Sequence, residues 1–131
     1  GVKPFAEVTK ADETVEAISN KMVTLTFPSA KYQLDDQAKA VIDREITALA
    51  QGFTNARIRI EGNTDAVGDG DYNRTLSFKR AQAVADYLVK EYKFDANRFI
   101  VIGNGMTKAQ SDGVRGANEA YRRTDFQLVE E

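Results

Sequence analysis

Two hydrophobic rhythms take turns along this chain, and their order restricts the fold more than any single motif does. Val23-Thr24-Leu25-Thr26-Phe27 alternates with period two, placing Val23, Leu25 and Phe27 on one face, and Pro28 then denies the next ladder donor. From 35 to 51 the spacing changes to that of a helix: Ala38, Val41, Ile42, Ile46 and Leu49 share a face, Asp35 suits the start and Gly52 the end. Ala56-Arg57-Ile58-Arg59-Ile60-Glu61 alternates again, with Ile58 and Ile60 inward. A helical stretch from 72 to 92 follows, carrying Leu76, Ala81, Val84, Ala85 and Leu88. Arg98-Phe99-Ile100-Val101-Ile102 reads as a strand buried on both faces or nearly so, hence a central one, and Thr124 to Leu128 alternates as a last strand. The order βαβαβ, a polar connection and a final β predicts a two-layer α/β sandwich, a mixed sheet with its helices packed on one face. Residues 1–14 hold no period and read as a linker or edge segment before a single domain over 15–131.

Composition then removes whole classes of chemistry. The 131 residues contain neither cysteine nor histidine. Disulfides, thiolate nucleophiles, imidazole bases and zinc sites built from the usual ligands are therefore excluded, and no cofactor is expected. Eighteen basic against twenty acidic residues give a net charge of −2, without the cationic excess that phosphate backbones attract, so no nucleic-acid partner is expected. No run approaches eighteen apolar residues, so any membrane contact is expected only through a part of the parent protein outside this sequence.

The chemistry concentrates in the loop after the second strand. Three glycines and three aspartates fall between Gly62 and Asp71. A calcium loop beginning at Asp69 would place Arg74 where glycine is required and Arg80 where a bidentate glutamate is required, so no metal is expected there. Neither a dinucleotide fingerprint nor a phosphate loop is present. Asp65, Asp69 and Asp71 as an acid–base set is weaker than the ordinary role of such aspartates, which is to accept from loop amides.

On a helix beginning near Asn73, that residue, Ser77, Arg80 and Val84 form one stripe, polar first and apolar later. Its polar end lies beside Thr64 and Asp65. A carboxylate and a guanidinium flanking one cleft suit a zwitterion: Asp65 accepts from an ammonium and Arg80 binds a carboxylate through its fork. That is the chemistry of an amino-acid head group. The alternative is that Asp65 and Arg80 simply bridge each other or cap local backbone.

These residues also make a recognisable pattern. Gly62-x-Thr64-Asp65-x-x-Gly68, then Tyr72-Asn73-x-x-Leu76-Ser77-x-x-Arg80-Ala81-x-x-Val84-x-x-x-Leu88, then Gly103-x-Gly105 and Arg122-Arg123-Thr124-Asp125-Phe126 resemble the OmpA-like C-terminal domain, over about Val23 to Val129. The resemblance implies non-covalent binding of peptidoglycan through the diaminopimelate residue of its stem peptide. It implies a periplasmic place in a Gram-negative envelope, where the domain would anchor a larger protein to the cell wall. The family's ligand-holding aspartate and arginine fall on Asp65 and Arg80, and Thr64 and Asn73 match positions that help line the same pocket; Ser77, on the helical stripe, is expected to join them.

Two departures stand out. The family usually has histidine before the Thr-Asp pair and this chain has Asn63; the loop after the first strand, often Phe-Asp-x-Asp or Phe-Asp-x-Asn, is Phe27-Pro28-Ser29-Ala30 here. Lost loop contacts would be absent or replaced by backbone. The competing reading is therefore a structural or protein-interaction domain of the same fold with weakened or lost wall binding. An enzyme ranks behind both, since no histidine, cysteine, metal set or well-separated acid pair is visible.

Overall fold

The computed structural model describes residues 21–129 other than 29, 54 and 55; the linker expected over 1–14 lies outside them. Among the described residues four strands form one sheet: β1 (Lys21–Val23), β2 (Arg57–Asn63), β3 (Phe99–Gly105) and β4 (Thr124–Val129), in the order β1-β4-β2-β3. β4 runs antiparallel to both β1 and β2, and β2 runs parallel to β3. The mixed α/β sandwich is as expected, with two adjustments. β3 is an edge strand, half-buried along most of its length, because β4 takes the other side of β2. β1 stops pairing at Val23, opposite Thr124. Beyond it Leu25 remains buried and Thr24 and Thr26 exposed, so the alternation outlasts the ladder: the chain before Thr124 turns into a short 3₁₀ helix, Glu119–Tyr121, and offers no further partner.

The first helical run begins as α1 (Asp36–Val41), passes through a π-helical stretch over Ile42–Ile46 and ends as α2 (Thr47–Gly52). Asp35 caps its start, accepting from the Ala38 amide at 2.8 Å. The single expected helix is thus one run with a wider central turn, in which the Thr47 amide reaches the Ile42 carbonyl. The turn keeps Ile42 and Ile46 on the core side and sets Asp43 outward, where it accepts from the hydroxyls of Tyr87 and Tyr92 at 2.8 and 2.6 Å.

The second helix, α3 (Gly70–Tyr92), starts two residues earlier than the spacing predicts, because Asp69 caps it by accepting from the Tyr72 amide at 2.8 Å. Lys93 ends it in the left-handed conformation at φ 60°. A short helix, α4 (Thr107–Ser111), follows β3. Ile58, Ile60 and Phe126 from the sheet meet Ile42, Ile46, Ala81, Val84 and Leu88 from the helices in one core. Each fully buried Ile or Leu contributes about 1.5–3 kcal/mol. The opposite sheet face is polar: Lys108 and Arg123 both pair with Asp125, at 2.6 and 3.0 Å.

α3 lies unusually close to the ends of β2 and β3. A Cβ on Gly62 would sit 2.3 Å from the Ser77 carbonyl oxygen, and one on Gly103 would sit 2.6 Å from the Phe78 amide nitrogen. Only glycine permits this backbone contact. It brings the segment after β2 against the first turns of α3, and so determines where the site forms.

Candidate functional site

The loop from Thr64 to Asp69 leaves the end of β2 and enters α3, and the two sides of this turn bound a cleft of about 390 Å³, in the range of small-molecule pockets. Thr64, Asp65 and Val67 come from the loop, Tyr72, Asn73, Leu76 and Arg80 from α3, Phe27 and Ala30 from the segment after β1, and Arg122 from the approach to β4. Asp65 and Arg80 thus face one cleft, as the helical stripe predicts. They do not bridge each other.

Asp65 is buried and its two bonds fall on one oxygen: Oδ2 accepts from Arg122 Nη1 at 2.5 Å and from the Asn118 amide at 3.1 Å. Oδ1 takes no bond from a described residue. Arg80 is held by backbone. Its Nε donates to the Lys31 carbonyl at 2.9 Å and its Nη2 to the Pro28 carbonyl at 3.3 Å, while the guanidinium stands 4.8 Å from the Phe27 ring centroid. The carbonyls of this loop therefore act where its side chains have lost their polar groups. Burial lowers the Arg80 pKa from its ordinary value; Tyr72 opposes the fall, Arg122 adds to it and Asp65 opposes it. An arginine so placed remains a cation.

Thr64 and Asn73 hold the turn in shape. The Thr64 amide donates to the Gly105 carbonyl at 2.7 Å and its hydroxyl to the Asp65 carbonyl at 2.9 Å. Asn73 Nδ2 donates to the Val67 carbonyl at 2.6 Å, closing the loop onto α3. Ser77 differs from its expected role: it is fully buried, and its hydroxyl donates to the Arg74 carbonyl at 2.9 Å and accepts from the Gly105 amide at 2.8 Å. It joins α3 to the end of β3 rather than facing the Asp65 cleft. Asn63 turns to the polar sheet face, where Asp125, Arg123 and Asn104 occupy its amide. Among the described residues no group of three or more carboxylates, histidines or cysteines is placed to hold a metal ion.

Arg122 is the residue that helical spacing could not supply. It stands 57 positions from Asp65 and reaches it only through the tertiary fold. One signal was present, the Arg122-Arg123 pair opening β4, which the sequence pattern marked without a role.

Comparison with known proteins places these residues in context. The model of the OmpA family matches residues 26–123. Outer membrane protein Omp38 of Acinetobacter baumannii is 30% identical over 128 residues, covering 98% of this chain and 35% of that protein. A peptidoglycan-associated lipoprotein of Rhizobium meliloti is 39% identical over 82 residues, covering 63% of this chain and 46% of the lipoprotein. The crystal structure of the peptidoglycan-associated lipoprotein from Burkholderia pseudomallei superposes with a TM-score of 0.64 at 28% identity, covering 80% of this chain and 88% of the other. The chain spans about a third of the length of the Acinetobacter protein.

Proposed function

The chain belongs to the OmpA family, and from that premise we propose that it binds peptidoglycan without covalent chemistry, taking the free amino-acid end of diaminopimelate in the stem peptide. The observation that carries this reading is the pairing of an open carboxylate oxygen, Asp65 Oδ1, with the Arg80 guanidinium in one cleft. The ligand ammonium donates to Oδ1. The ligand carboxylate accepts from the outer edge of Arg80, whose inner edge the Pro28 and Lys31 carbonyls fix. Fixing the arginine beforehand lowers the entropy lost on binding. The names of the Rhizobium and Burkholderia lipoproteins state their association with peptidoglycan, and that association supports the same class of ligand here. It also supports a place in the envelope of a Gram-negative cell, where the domain anchors a larger protein to the wall.

Titration of the chain with a diaminopimelate stem peptide, alongside co-sedimentation with purified sacculi, tests the reading. Saturable heat and pelleting are expected, and the absence of both would overturn the reading. A second reading, a structural or protein-interaction domain that has lost wall binding, has one observation in its favour: Arg80 already has backbone partners. It predicts a chain that folds normally and ignores the peptide.

A further inference from the structure

We propose that Arg122 is a second anion receptor of the cleft, so that the site is built for a ligand bearing another carboxylate beyond its amino-acid head group. The proposal rests on the peptidoglycan reading above. The charged side chains lining the cleft are one carboxylate, Asp65, and two guanidiniums, Arg80 and Arg122. A zwitterionic head group adds no net charge, so its binding leaves one cation uncompensated.

The donors identify which one. Arg80 has its Nε and Nη2 on loop carbonyls, which leaves its outer edge for the head-group carboxylate. Arg122 gives Nη1 to Asp65; among the described residues nothing accepts from its Nε or Nη2. Those two nitrogens form one edge of the guanidinium, the edge that matches a carboxylate in bidentate fashion. The side chain is 44% exposed and lines the cleft while Nη1 stays bound to Asp65. Arg122 also lines a smaller groove with Thr24, Thr26 and Glu119, and it shares with Arg80 a place in the walls of both cavities. A ligand that extends past the cleft meets Arg122 at the join. Glu119 is the opposing charge in that groove, and it is exposed.

The test compares two stem tripeptides ending in diaminopimelate, identical in the head group, one with its chain-terminal carboxylate free and the other with that carboxylate amidated. The parent chain binds the free acid about tenfold more tightly, the scale of one charge-assisted contact. Arg122→Gln binds both peptides equally, and both more weakly than the parent binds the amide, because Asp65 also loses its Nη1 partner. Arg122→Lys, which keeps the cation and loses the fork, folds if the glutamine variant does not and shows a reduced preference. Equal affinities in the parent, or an undiminished preference in both variants, overturn the proposal while leaving the peptidoglycan reading intact. A parent that binds neither peptide overturns both.

Discussion

Asp65 is paired with Arg122, which donates Nη1 to its Oδ2 at 2.5 Å, and not with Arg80, although the latter faces the same cleft. The carboxylate is thereby oriented from one side and left open on the other. Its burial means the orientation is kept without a ligand.

Asp65→Asn and Arg80→Ala are each expected to abolish pelleting with sacculi. The asparagine keeps the shape of the carboxylate but loses its charge and offers donors where acceptors are needed. Arg80→Lys is expected to fail as well, since an ammonium cannot reproduce the fork. Co-sedimentation measures the loss, and circular dichroism should show that the fold persists in all three variants. Pelleting at the parent's level by both Asp65→Asn and Arg80→Ala would remove the pocket assignment.

Ser77→Ala should act on stability and little on binding. It strips the partner from the buried Gly105 amide, and a buried donor left unsatisfied costs about 1–3 kcal/mol. Gly62→Ala should cost at least as much, because a Cβ 2.3 Å from the Ser77 carbonyl oxygen forces backbone to move. Urea denaturation reads both, and a Ser77→Ala chain as stable as the parent would contradict the first.

Ligand affinity should be level between pH 6 and 8. The sequence holds no histidine, and no other side chain ordinarily titrates in that interval. Isothermal titration at several pH values checks this; a severalfold change centred near neutrality would reveal a titrating group outside the cleft as described.

Alkaline pH should loosen the fold at a different place. The Tyr87 pKa is raised to about 12, by burial first and then by its bond to Asp43, and that of Tyr92 is raised chiefly by its own bond to Asp43. A phenol whose pKa is higher folded than unfolded contributes stability that is complete below about pH 10 and lost as pH rises toward 12. The melting temperature should therefore fall across that window. Asp43→Ala should make the fall shallower and move the phenolate absorbance transition to lower pH.

Much of this architecture is written in period alone. Ile58 and Ile60 alternate with arginines, and Leu76 to Leu88 recur at helical steps, so β2 and α3 emerge from the sequence at nearly their observed limits. The misreading of β3 as central has a physical cause. An apolar run such as Phe99 to Ile102 suggests cover on both faces, but centrality depends on how many strands flank it, and an edge strand packed against α3 carries the same run while staying half-buried. The π-helical turn is silent for a related reason: Ile42 and Ile46 suit either winding. Within the site, spacing finds residues on one stripe, Asn73, Ser77 and Arg80, but does not say which turn inward, and Ser77 does. Arg122 belongs to a loop brought in from 57 residues away, and no local rule predicts such a meeting.

The contact of Gly62 and Gly103 with the backbone of α3 has an engineering consequence. Because the helix rests there on main chain rather than on interdigitated side chains, the span from the Asp65 loop to Arg80 is gauged by covalent geometry. Isoleucines and valines deeper in the molecule can be exchanged for residues of similar volume, with some loss of stability, and the two halves of the cleft should keep their separation. A redesign of this domain would treat those two glycines as its datum points.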